Sequence, residues 1–193
     1  MKIHYFSLVF CSLILIGGYS DSNSPEKKSD ERNTGSASQT RTAASRFRIE
    51  PGQFTKRFNQ CMEKLGQSFR MEDTPKIKVG PNQDTFQSNP THQITIIGTV
   101  DKKSGYVVNA MLVARGNDEQ GMENIIVHAT GMAVGYEPEI IPAQAKKDIS
   151  RLVAAYNPHK DEPISMVYKG LKLTYGMQAD MGLSHFSIRP VEQ

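Results

Sequence analysis

The chain is divided by hydrophobicity before any element is assigned. A mostly apolar run, Tyr5 to Ile16, gives way to Gly17-Gly18-Tyr19-Ser20 and then to Asp21–Ser45, where, Pro25 aside, the only apolar side chains are Ala37, Ala43 and Ala44. A stretch so poor in apolar groups buries too little surface to offset the entropy of ordering it. It predicts a disordered linker over 21–46 and confines folding to 47–193, one domain's worth of chain.

The opening run reads as an export signal. Lys2 supplies a positive start, Tyr5 to Ile16 the apolar centre, and Gly17 to Ser20 a small-residue exit, which is the layout of a secretory signal peptide over 1–20. The apolar run is shorter than the roughly 20 residues needed to span a bilayer. A retained signal-anchor or a buried amino-terminal helix are the other uses of such a run, and the polar stretch behind it disfavours the helix.

Ile16-Gly17-Gly18 resembles the three residues that precede the acceptor cysteine of a bacterial lipoprotein signal, but Tyr19 stands where that cysteine belongs. A phenol cannot form the thioether to diacylglycerol, so the resemblance implies a lipoprotein-like leader whose anchoring residue is lost. Cleavage after Ser20, with Gly18 and Ser20 as the small residues at the cut, is then expected, giving a periplasmic or secreted product. Membrane association is expected only if the chain is lipid-anchored or keeps its signal.

Charge and cysteine content narrow the classes. A net charge of +3 with lysines in scattered pairs lacks the one-sided basic clusters of a nucleic-acid binder, and no nucleic-acid partner is expected. With the leader removed Cys61 is the only thiol left, so no internal disulfide is expected. Cys61 lies on an apolar stripe, which suits a small buried side chain.

Phe54, Phe58, Cys61, Met62 and Leu65 fall on one helical face, with Pro51 suited to the first turn. Lys76–Val79 reads as a short edge strand. Gln93–Val100 and Tyr106–Ala114 are rich in β-branched and apolar residues around the turn Asp101–Gly105, a hairpin apolar on both faces and therefore expected to be central in its sheet. Asn117 and Gln120 resemble a capping box before a helix weakened by Gly121, Gly131 and Gly135; Pro142 opens another, with Ala145, Ile149, Leu152, Val153 and Tyr156 as its stripe. Ile164–Tyr175, with a bend or bulge at Gly170, and Leu183–Arg189 make a second hairpin. The order predicts an α+β fold: one antiparallel sheet of about 4–5 strands with about three helices packed on it.

Motifs for chemistry are missing. The chain has no His-Glu-x-x-His, Cys-x-x-Cys, Gly-x-Ser-x-Gly or phosphate-cradling glycine loop, and no cofactor or metal is expected. Asp118, Glu119 and Glu123 gather where a helix start favours negative charge. Two histidines are the candidate bases: His128, placed by helical spacing beyond the edge of the buried stripe, and His185, sharing a strand face with Ser187 and Arg189. The methionines of the second half, Met177 and Met181 among them, and the proline-bounded loop holding Tyr136, Ile140 and Ile141 are candidate binding residues.

These features predict a non-catalytic cell-envelope protein that binds a protein partner, as an immunity or inhibitor protein or as an accessory of an envelope complex. The alternatives are a periplasmic hydrolase using His128 or His185 as base, and a small-ligand or lipid carrier with an apolar cavity between sheet and helices.

Overall fold

The computed structural model describes residues 47–115, 118–160 and 162–191. The expectations for the signal peptide, Tyr19, Ser20, the linker and the Asn117 cap lie outside them. The fold is α+β and, among the described residues, has three α-helices on one face of a single antiparallel sheet of seven strands.

Helix α1 (Pro51–Lys64) has Pro51 in its first turn and buries Phe54, Phe58, Cys61 and Met62. It ends where Gly66 takes a φ of 68°, which lets Gly66 N donate to the Glu63 carbonyl and Gln67 N to that of Met62, a Schellman closure. Strands β1 (Ile77–Lys78), β2 (Asp84–Ser88), β3 (Ile94–Val100) and β4 (Val107–Arg115) follow as a meander. Helices α2 (Glu119–Tyr136) and α3 (Pro142–Ala154) cross over, and β5 (Ile164–Tyr168), β6 (Leu171–Gln178) and β7 (Leu183–Pro190) complete the sheet in the order β1-β2-β3-β4-β7-β6-β5. The β3–β4 hairpin is internal, as its two apolar faces require.

The strand count exceeds the expectation for two reasons. Asp84-Thr-Phe-Gln-Ser88 has a single large apolar residue and gives little strand signal; it is a strand because Phe86 packs against the core and β3 pairs along its whole length. The run from Ile164 to Tyr175 is two strands. Lys169 and Gly170, with φ of 53° and 81°, form a two-residue turn between Tyr168 and Leu171, the mirror-image turn whose twist suits a hairpin.

Side chains of one sheet face meet the helices. Phe86, Ile94, Ile96, Ala110, Leu112, Leu171, Leu173, Tyr175, Phe186 and Ile188 are buried there. Helix α2 lies against this layer and α1 against α2. The glycines of α2 permit that approach: side chains at 131 or 135 would enter the space of Phe58, Met62 and Phe54. Asp118 caps α2, its carboxylate accepting from Gly121 N at 2.8 Å.

Candidate functional site: the open face of the sheet

The second face of the sheet is left uncovered by all three helices. Strand alternation assigns its residues, because inward side chains are buried and the intervening ones are partly exposed. Register aligns Gln87, Ile97, Met111, Ser187, Thr174 and Ser165 in one row across β2, β3, β4, β7, β6 and β5. A neighbouring row holds Thr95, Val113, His185 and Gly176. The middle of the face is thus a half-buried apolar group, Ile97, Met111 and Val113, surrounded by hydroxyls.

The charge that the strands bring to this face has one sign. The ionised residues that alternation places there are Lys78, Arg115, Lys172 and Arg189, and the strands contribute no carboxylate to it. Asp84, the one acidic residue within a strand, falls in line with the inward positions of β2, bonds Gly80 N and pairs with Lys102 at 3.5 Å.

His185 lies at the apolar centre. Its ring occupies the space above Gly176, where a Cβ would stand 2.6 Å from Cε1 and 2.7 Å from Nε2, with Pro163 beside it. Val113 is its partner on β4. Partial burial holds its pKa below the usual imidazole value, so the neutral ring is favoured. Ser184, adjacent in sequence, is buried on the opposite face, and Ser187 is two positions along the strand, about 7 Å away between Cα atoms. The arrangement sets Val113 and Pro163 beside the imidazole, with Ser184 on the opposite face and Ser187 two positions along the strand.

His128 is not at the edge of the buried surface; it is fully buried. Its ring packs against Phe69 and Phe58 at centroid separations of 4.8 and 6.1 Å. The reason is that α2 is covered on two sides, by the sheet and by α1, so the apolar environment extends around most of its circumference. Nδ1 bonds the Asn124 carbonyl at 2.7 Å, Nε2 has no partner, and burial lowers the pKa. With the carbonyl as acceptor, Nδ1 carries the proton.

The expected contact residues separate by burial. Tyr136 and Ile140 belong to the core and present no surface to a partner; Tyr136 is not in the connecting loop but is the last residue of α2, where α1 covers it. Tyr136 packs edge-on against Phe54 at 5.2 Å, its carbonyl accepts from Arg57 at 3.4 Å, and burial raises its phenol pKa. Met177 is partly buried against the core. Ile141 and Met181 are exposed, at 68% and 56%. Sequence reasoning missed the open face as a site; its signal was present in the half-apolar second faces of β3 and β4 and in the sign of the charges sharing them.

Other clefts differ in character. One of about 930 Å³ opens where β4 and β7 meet the segment entering α1 and is lined by Phe47, Arg48, Tyr106, Val108, Asn109 and Arg189 among others. Asp101, also there, accepts from Ser104 N and Oγ at 2.8 and 2.7 Å, which lowers its pKa. Near the start of α2, Glu123 pairs with Lys146 at 2.6 Å while Asp118 serves the cap. Among the described residues no group of three or more His, Cys, Asp or Glu side chains is placed to hold a metal ion. Comparison with protein-family models, with curated proteins and with solved structures finds no match to this chain.

Proposed function

We propose that this chain is an exported bacterial cell-envelope protein that acts without catalysis, by binding another protein through the open face of its sheet, as an immunity or inhibitor protein or an accessory of an envelope complex. The observation that carries the reading is the sheet surface left uncovered among the described residues, with Ile97, Met111 and Val113 at its middle and Lys78, Arg115, Lys172 and Arg189 around them. An apolar centre inside a polar rim is the anatomy of a protein interface. A rim of one sign selects a partner of the other, so the partner is acidic. The export layout of residues 1–20 and the polar stretch behind it support a periplasmic or secreted location, and among the described residues no helix is long and apolar enough to cross a membrane.

Placing a photo-crosslinking residue at Met111 or Val113 in producing cells tests this. Adducts to one acidic protein are expected from both positions and none from the exposed Lys147 on α3. Adducts absent from the face, or equal from Lys147, would overturn the site. Export has its own readout: the mature amino terminus is expected at Asp21 and unacylated, and a cytosolic chain that retains Met1 would refute it.

A further inference from the structure

The two edges of the sheet are built differently, and the difference points to a second copy of the chain. At one edge, β1 is only two residues long, carries Lys78 beside Lys76, and is bounded by Pro75 and by Gly80-Pro81. A very short strand, lysines and prolines are the devices by which natural edges block the addition of another strand. The opposite edge carries none of them within its strand, Pro163 and Lys169 standing just outside its two ends. Strand β5, Ile-Ser-Met-Val-Tyr, contains no charge, proline or glycine. It is the last strand in the order, and Ser165 and Val167 are exposed, Val167 at 66%.

The turn after β5 fixes which of its backbone groups are free. In a hairpin closed by two residues, the flanking pair exchanges both backbone hydrogen bonds, and alternate pairs do so thereafter. Tyr168, Met166 and Ile164 therefore turn their N–H and C=O toward β6, where they stand opposite Leu171, Leu173 and Tyr175. Ser165 and Val167 turn theirs outward. The 2.9 Å approach of the Ser165 and Thr174 hydroxyls fits the closer side-chain spacing of a pair without such bonds.

We propose that β5 pairs antiparallel with β5 of a second copy, about a two-fold axis at Met166. In that register Ser165 stands opposite Val167 of the other copy, the two residues whose backbone groups are free, and each such pair closes two hydrogen bonds. Met166 meets itself, Ile164 meets Tyr168, and no like charges are opposed. The ends of the strand supply complementarity: Glu162 precedes it and Lys169 follows it, both exposed. Antiparallel pairing sets the acidic end of one copy beside the basic end of the other, whereas parallel pairing sets like beside like. The product is one sheet continuous through both copies, with its open faces on the same side, an isologous closed assembly.

The test is sedimentation equilibrium of the full exported chain over a concentration range reaching the millimolar, with circular dichroism as the check on folding. A reversible monomer–dimer equilibrium is expected. The S165K/V167K variant opposes lysine to lysine twice and is expected to weaken it about tenfold or more. The S165K/V167E variant opposes lysine to glutamate in the antiparallel register and is expected to restore dimerisation relative to S165K/V167K. Both residues are exposed, so both variants are expected to keep the parent's circular dichroism. A monomer at every concentration, as when residues 1–46 or another protein occupy the edge instead, would overturn the proposal. So would a dimer indifferent to S165K/V167K, or one that S165K/V167E fails to restore.

Discussion

Phe86 and Gly98 stand opposite each other across β2 and β3, and the Phe86 ring fills the space that any side chain at 98 would need. The same ring reaches Phe54 of α1 at a centroid distance of 6.0 Å, so a glycine in one strand lets an aromatic in the next connect the sheet to α1. G98A is expected to displace the ring and destabilise the fold by about 1–3 kcal/mol. F86A leaves a cavity and costs about 3–5 kcal/mol. The two losses are coupled, and urea unfolding should find F86A/G98A less destabilised than the sum of the single variants; additivity would mean that the ring does not depend on the glycine.

Gly131 and Gly135 present a conflict between helix propensity and packing. Alanine is favoured over glycine inside a helix by about 1 kcal/mol. A Cβ at 131 would lie 2.6 Å from Met62 Cε and 2.7 Å from the Phe58 ring, and at 135 it would lie 2.8 Å from the Phe54 ring. Those neighbours are buried and have little room to move, so overpacking is expected to win. G131A and G135A should each lower the melting temperature, and a rise in either would show that α1 can yield.

Acid stability follows from His128. Its pKa in the fold lies below the ordinary 6.5, chiefly through burial. Below that value the unfolded chain takes up the proton and the folded chain resists it, so stability falls as the pH drops through 6.5 toward the folded pKa. His185 shifts in the same direction and adds to the loss. H128M keeps an apolar side chain of similar bulk in the site and removes the unpartnered Nε2. Denaturant unfolding at a series of pH values should show a shallower acid loss in H128M than in the parent, and identical slopes would exclude His128 as a source.

Cys61 is buried, with its thiol pKa raised to about 11 by burial and lowered somewhat by Lys64. At neutral pH the reactive thiolate is scarce and shielded. Maleimide labelling of the Cys61 peptide, followed by mass spectrometry, should proceed at the rate of unfolding and accelerate sharply in urea. Rapid labelling of the native chain would place the thiol at the surface.

Much of the architecture was legible because it depends on local chemistry. Pro51 and Pro142 start helices since a first-turn residue needs no N–H donor, and the Phe54, Phe58, Met62 stripe is spaced for one helical face. The β3–β4 hairpin was readable from its β-branched strands and turn residues. Strand β2 was not, because Asp84–Ser88 is held by pairing with β3 and by one phenylalanine whose pocket is a glycine of another strand. The division of Ile164–Tyr175 was missed for a related reason: Lys169 accepts a positive φ only because the strands on either side pair with each other.

The sequence by itself determined the α+β class and the periodic faces of α1 and α3, since each rests on composition or on spacing within a few residues. Only the tertiary structure decided which faces were covered. It buried His128 and Tyr136 by packing α1 across α2 and took Ile140 into the core, and it left Ile97, Met111, Val113 and His185 on the side of the sheet that α1, α2 and α3 do not cover. The physical reason is that burial of a side chain is a property of contacts between distant elements, and a residue's own neighbours in sequence do not specify what will lie across from it.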